Sequence, residues 1–258
     1  MEVKNLAWNE IISKRCYHPL LPQVIRGLII GKCGCGKTTL VINFLLRPGW
    51  LDYNNINIFS KSLFQPEYRI LKKAFKETLS NEVIIGLFEN QNEIKDLGIS
   101  PISFVEEMAK EIRDKSDVEC NFYQSVEDVP EPRELSSEKN NLMVFDDLLF
   151  EKQKHLRIVI FRGRHSNVDC FHLAQKYFKL PRQTIRMNAN FICMFPQDFK
   201  NLNHIFDDQV GSDLTVEEYR QLYKTTWKKQ HRFVIIDLSS KQHNGKYRSG
   251  IDEFYILN

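Results

Sequence analysis

The sequence predicts an α/β fold: one doubly wound domain built on a mostly parallel sheet. Three observations predict it. Short apolar runs of strand length alternate with stretches whose apolar residues recur at helical spacing. A glycine-rich segment, GKCGCGKT at Gly31 to Thr38, separates the first such run from the first such helix. The 258-residue length suffices for one large core of this class.

The elements follow in order. Residues 1–25 read as a preamble, in which Pro19 and Pro22 stop any helix ahead of the first strand. Leu28, Ile29 and Ile30 make a buried strand. Leu40, Val41, Phe44 and Leu45 then mark the inner face of a helix. Asn57 to Ser60 reads as a strand, and Pro66 to Phe75 as a helix with Tyr68, Leu71 and Phe75 facing inward. Glu82 to Phe88 (EVIIGLF) reads as another strand. From about 90 to 140 the chain is polar, too poor in apolar residues for a core of its own. It reads as an insertion at one edge, with a helix over roughly Ser103 to Lys115 and a loop. Strands resume at Leu142 to Phe145, Val168 to Leu173, Phe191 to Phe195 and Phe233 to Leu238. Between the last two, Thr215 and Glu218 stand as a capping box, with Leu214 and Tyr219 at the staple positions. Such alternation argues a sheet covered on both faces.

Composition narrows the function classes. Hydrophobic residues make up 42% and charged residues 27%, as in an ordinary soluble globular protein. A formal charge of +3 excludes a global basic field, so nucleic-acid contact would need a local patch. The six cysteines, at 16, 33, 35, 120, 170 and 193, form no C-x-x-C pair, which points away from zinc and disulfides and toward a reducing intracellular setting. MEVKNLAWNE lacks a signal-peptide layout, and no apolar run approaches membrane-spanning length, so no membrane partner is expected.

The segment at 31–38 matches G-x-x-x-x-G-K-[ST], and its strand and helix flanks are the context in which that pattern is a phosphate-binding P-loop. Gly31, Lys32, Cys33, Gly34, Cys35, Gly36, Lys37, Thr38 and Thr39 are the candidate nucleotide-binding residues. Glycines let backbone N–H groups face a phosphate, and the helix N-terminus adds a favourable dipole. Lys37 would reach the β- and γ-phosphate oxygens of a nucleoside triphosphate, and the Thr38 hydroxyl would ligate Mg²⁺. LMVFDD at Leu142 to Asp147 adds carboxylates at a strand end: Asp146 on the metal side, Asp147 to activate the attacking water. A helix N-cap is the other reading of Asp147. Gln175, at the tip of the strand that follows, is a candidate sensor of the γ-phosphate; a loop hydrogen bond is its ordinary role. Arg162, Arg164, Arg182 and Arg186 cluster around this strand, and Arg164 and Arg186 are the candidates for a finger acting on a neighbouring subunit. Solvated surface charge is the alternative for each. Two basic groups, Lys152, Lys154, His155 and Arg157, and Lys228, Lys229, His231 and Arg232 after Trp227, are candidates for duplex contact or charged helix faces.

With LMVFDDL and RGRHSNVDCFHLAQKYFKLPRQTIRMNAN in place, the chain resembles the packaging ATPases of Polinton (Maverick) elements, similar to the poxvirus-type packaging ATPases within the FtsK–HerA superfamily. FSKSLFQPEY, FPQDFKNLNHIFDDQVGSDL and GKYRSGIDEF extend the likeness over most of the chain from about residue 26. The resemblance implies a P-loop NTPase core of the additional-strand (ASCE, RecA-like) type, with the Gln175 strand between the Walker A and Walker B strands. It also implies an ATP-driven homo-oligomeric ring (pentamer or hexamer) that moves double-stranded DNA into a capsid, in a host nucleus or cytoplasm or with the virion. It supports Gln175 as sensor and includes Arg164 and Arg186 in its pattern. Lys32, Cys33 and Cys35 stand where the family carries small residues, which raises oxidation sensitivity as a question. With no nuclease or zinc-finger extension accompanying the core, DNA cutting is expected elsewhere. A nucleotide kinase and a nucleotide-gated assembly factor are the competing readings, and no base-reading motif separates ATP from GTP.

Overall fold

A computed structural model describes residues 17–90, 94, 100–111, 117–130, 135, 138–148 and 168–255. In chain order the elements are β1 (Arg26–Ile30), α1 (Lys37–Leu46), β2 (Asn55–Ser60), α2 (Pro66–Lys76), α3 (Asn81–Glu89), α4 (Pro101–Glu111), β3 (Glu119–Tyr123), β4 (Asn141–Asp146), β5 (Val168–Ala174), β6 (Phe191–Met194), α5 (Phe199–Ile205), α6 (Val216–Thr226), β7 (Val234–Asp237), β8 (Tyr247–Ser249) and β9 (Glu253–Phe254). Among the described residues the strands form one sheet in the order β3-β2-β4-β5-β1-β6-β7-β8-β9. Pairing is parallel from β3 through β6 and antiparallel from β6 to β9. The α/β fold with a mostly parallel sheet is thus as the sequence predicts, and β5 lies between β4 and β1, the inserted position that defines the additional-strand arrangement.

Period-two alternation explains why the strands read as unbroken apolar runs. Ile29, Val144, Phe171 and Cys193 face one core with α1, α2 and α3, while Leu28, Met143, Cys170 and Ile192 face the other with α5 and α6. Phe44 of α1 centres the first core, with ring centroids 5.7 Å from Phe171 and 6.2 Å from Phe191. The capping box of α6 forms as predicted: the Glu218 amide donates to Thr215 Oγ1 and the Thr215 amide to Glu218 Oε2. Leu214 and Tyr219 are both buried beside it. The segment before β1 is pinned to β5 through buried Asp169, which accepts from the Tyr17 hydroxyl and, at 2.9 Å, from the Ile25 amide.

Two expectations need correction. Glu82–Phe88 is not a strand; it belongs to α3, which buries Ile84 and Leu87 three residues apart. A short apolar run is ambiguous by periodicity alone, and here the i, i+3 pair decides it. The polar stretch contains a strand where the sequence predicts a loop: β3 lies at the sheet edge, with Cys120 and Phe122 turned toward the first core. Its predicted helix begins two residues earlier, at Pro101, where a proline fits the first turn.

Buried His172 on β5 carries a pH consequence. Its ring stacks on Phe145 at 4.8 Å, and Nε2 has no hydrogen-bond partner among the described residues. Burial, aided by nearby Arg26, holds its pKa down at about 3. The folded value lies below the ordinary one near 6.5, so the unfolded chain binds the proton better. Stability is therefore full above about pH 6.5 and is lost progressively as pH falls from there toward 3. Between pH 7.5 and 5.5 this site alone removes about 1 kcal/mol. Urea unfolding at the two pH values should show that loss, and His172→Phe should shrink it; an equal loss in both proteins would refute the assignment.

Candidate phosphate-binding site

The site begins where β1 ends. The Gly31 amide donates to the Ala174 carbonyl at 3.0 Å, tying the loop to the end of β5. A Cβ on Gly31 would sit 2.3 Å from Cys35 Sγ and 2.9 Å from Phe195 Cβ, so no side chain fits there. Gly36 has φ 101°, a left-handed conformation that costs glycine little and turns the chain into α1. Lys37 is buried, and its Nζ donates to the carbonyls of Gly31 at 2.9 Å and Lys32 at 3.0 Å, folding back over the loop. A pocket of about 310 Å³ opens beside it, lined by Cys33, Gly34, Gly36, Lys37, Thr38 and Thr39 from the loop and helix, by Asp146 at the end of β4, and by Asp147 just after it. Of the residues predicted over 31–39, Gly31, Lys32 and Cys35 are not among those lining the pocket. Lys32 is exposed, and Cys35 packs toward the first core. Burial raises the Cys35 thiol above its usual value, which makes it less reactive than an ordinary thiol. Cys33 is exposed.

Across the pocket, Asp146 is the last residue of β4 and is buried. Burial raises its pKa above the usual carboxylate value, while a hydrogen bond from the Tyr68 hydroxyl to Oδ2, 2.7 Å long, opposes the rise. Asp147 is exposed and has φ 53°. Asp tolerates that left-handed backbone better than most residues; the residues from 149 that an N-cap at Asp147 would serve lie outside the described ones. Gln175, just beyond β5, donates from Nε2 to Asp147 Oδ2 at 3.0 Å. The inserted strand thus delivers Gln175 to the carboxylate that precedes it in the chain by 28 residues.

Hydroxyl and carboxylate oxygens suit a hard divalent cation, and Thr38 and Asp146 line one pocket. Among the described residues there is no cluster of three or more His, Cys, Asp or Glu that could hold a metal without help. Magnesium bound by one or two protein ligands plus substrate phosphates needs no such cluster, so the residues fit it.

Three pocket-lining residues escaped sequence reasoning: Ser62, Gln65 and Glu67, where β2 passes into α2. The available signal was QPEY, a helix start with proline at its first position, directly after a strand.

The arginine reading is corrected. Arg186 is buried, its Nη1 lies 2.8 Å from Asp208 Oδ2, and its guanidinium stands 5.1 Å from the Tyr177 ring centre. None of these partners lines the pocket. In this position the guanidinium is engaged within its own chain and is not exposed to a neighbouring subunit. Arg182 is exposed and pairs with the same Asp208 at 3.1 Å. Arg162 and Arg164 lie outside the described residues, as do Lys152, Lys154, His155 and Arg157. In the second basic group, Lys229 and Arg232 both pair with Glu253 of β9, at 3.2 and 2.8 Å, and Trp227 packs toward the second core. Exposed pairs of this kind are worth under about 1 kcal/mol, so a polyanion could displace Glu253. No described helix is long and apolar enough to cross a membrane.

No family model matches the chain, and no curated protein is detectably similar to it. Solved structures are similar in fold. The genome packaging NTPase B204 from Sulfolobus turreted icosahedral virus 2, in complex with sulfate, aligns with a TM-score of 0.52 at 11% identity, over 91% of this chain and 98% of that one. The same protein in complex with ATP-gammaS gives 0.51 at 11% identity, over 89% and 97%. At that identity the shared property is the fold alone.

Proposed function

We propose that the chain is an ATPase that drives double-stranded DNA into a capsid, hydrolysing ATP between the subunits of a homo-oligomeric ring. One observation carries the reading. The order β4-β5-β1 brings a P-loop lysine, a metal-side carboxylate and a glutamine-held second carboxylate to a single pocket. The fold it shares with a viral packaging NTPase supports the biological setting, and the sequence resemblance to the Polinton and poxvirus-type ATPases supports the DNA substrate and capsid partner.

The chemistry assigns each side chain a task. Lys37 Nζ leaves the Gly31 and Lys32 carbonyls for the β- and γ-phosphate oxygens of ATP. Thr38 and Asp146 would hold Mg²⁺, which would neutralise charge on the phosphates. Asp147, exposed to the pocket, accepts the proton of the attacking water. Gln175 keeps that carboxylate aimed and reports the state of the γ-phosphate to the segment after β5. Arg164 is the remaining arginine proposed to act across the subunit boundary.

Phosphate release measured on fractions of known oligomeric state, with and without linear duplex, separates the readings. Stimulation by duplex in the ring fraction alone is expected. Phosphoryl transfer to a nucleoside would mark a kinase, and binding with negligible turnover would mark a nucleotide-gated assembly factor.

A further inference from the structure

The geometry points to Tyr68 as a positioning residue for the metal-side carboxylate, one that sets how strongly magnesium tightens nucleotide binding. This rests on the reading of the pocket as a magnesium–nucleotide site. β2 and β4 pair in a register that places Ser60 opposite Asp146. The chain then turns through five residues and enters α2 at Pro66, so the first turn of α2 faces the end of β4. Helical side chains lean toward the N-terminus of their own helix, and Tyr68 follows that lean toward Asp146. Its ring is buried in the first core at 2% exposure, yet its hydroxyl reaches Asp146 Oδ2 at 2.7 Å. Thr38, the other side chain proposed to hold the metal, lines the same pocket as Asp146. One buried hydroxyl therefore fixes the carboxylate half of the proposed metal pair.

The chemical consequence concerns the other carboxylate oxygen. Asp146 Oδ1 takes no hydrogen bond from any described residue, while Oδ2 is tied to the phenol and its rotation is blocked. Tyr68 thus presents Oδ1 to the pocket in one orientation. A carboxylate free to rotate would lose that alignment when the metal arrives, because magnesium tolerates little departure from its preferred geometry. Leu or Phe at position 68 would fill the core as well, so packing alone does not account for a hydroxyl here. A buried phenol needs a partner, and this one has the metal-side carboxylate.

The test is the affinity of a fluorescent, non-hydrolysable ATP analogue for the full chain and for Tyr68→Phe, in EDTA and across a magnesium titration. In EDTA the two proteins should bind within about twofold of each other. The magnesium concentration giving half of the tightening should rise roughly tenfold in the variant, the loss expected for one hydrogen bond to a charged group. Equal magnesium dependence in both proteins would overturn the inference and leave the site reading standing. Failure of the parent to bind the analogue under any condition would overturn both. If Tyr68→Phe does not fold, 3-fluorotyrosine at position 68 replaces it. Its fluorine resonance should shift when magnesium is added to the nucleotide complex, and an unmoved resonance would reject the role.

Discussion

Lys37→Ala is expected to reduce ATP turnover by on the order of 10³-fold or more while the fold stands. The ammonium is held by two loop carbonyls, Gly31 and Lys32, and by no side chain among the described residues. Removing it leaves those carbonyls beside an open pocket that water can enter, so the stability cost should stay near about 1 kcal/mol. The cost to chemistry is larger, because charge developing on the transferred phosphoryl group loses a preorganised cation. Phosphate release and urea unfolding measured on one preparation separate the two effects. Turnover at the parental rate would mean that the pocket beside α1 is not the reacting site.

Asp147→Asn is expected to lower kcat by about 10²–10⁴-fold with little change in nucleotide affinity. Asparagine is the informative choice. It adopts the φ of 53° as readily as aspartate does, and its amide oxygen still accepts from Gln175 Nε2, so neither the backbone nor the inter-strand contact is disturbed. Only the basicity is removed. Steady-state kinetics at saturating magnesium would show the split between kcat and KM. A kcat within threefold of the parent would reassign the base, and Glu67, which lines the same pocket from α2, would be the next group to replace.

The parts of the site that the sequence made legible are those whose partners are local or whose spacing is rigid. A P-loop has its strand, glycines, lysine and helix within one short window, so GKCGCGKT could be read with its flanks. Asp146 and Asp147 follow four apolar residues, and the strand end positions them without further information. The Thr215–Glu218 box is local in the same way. Tyr68 was legible only as a core residue at helical spacing, because its acceptor lies 78 positions away and the contact depends on the β2–β4 register. Arg186 failed for a related reason: burial against Asp208 and Tyr177 arises from the packing of the segment after β5, which no local pattern encodes. EVIIGLF was misread because an apolar run of that length suits a strand or a buried helix equally. β3 escaped because the sheet edge demands fewer apolar residues than its centre, and a half-exposed strand in a charged stretch resembles a loop.

The central claim couples phosphoryl cleavage to the duplex. The most direct measurement is inorganic phosphate release by the assembled chain with magnesium, comparing linear duplex present and absent at constant salt. The account predicts faster release on duplex, confined to the assembled form and lost in Lys37→Ala. Release that no duplex accelerates in any assembled form, or that survives Lys37→Ala unchanged, would contradict it.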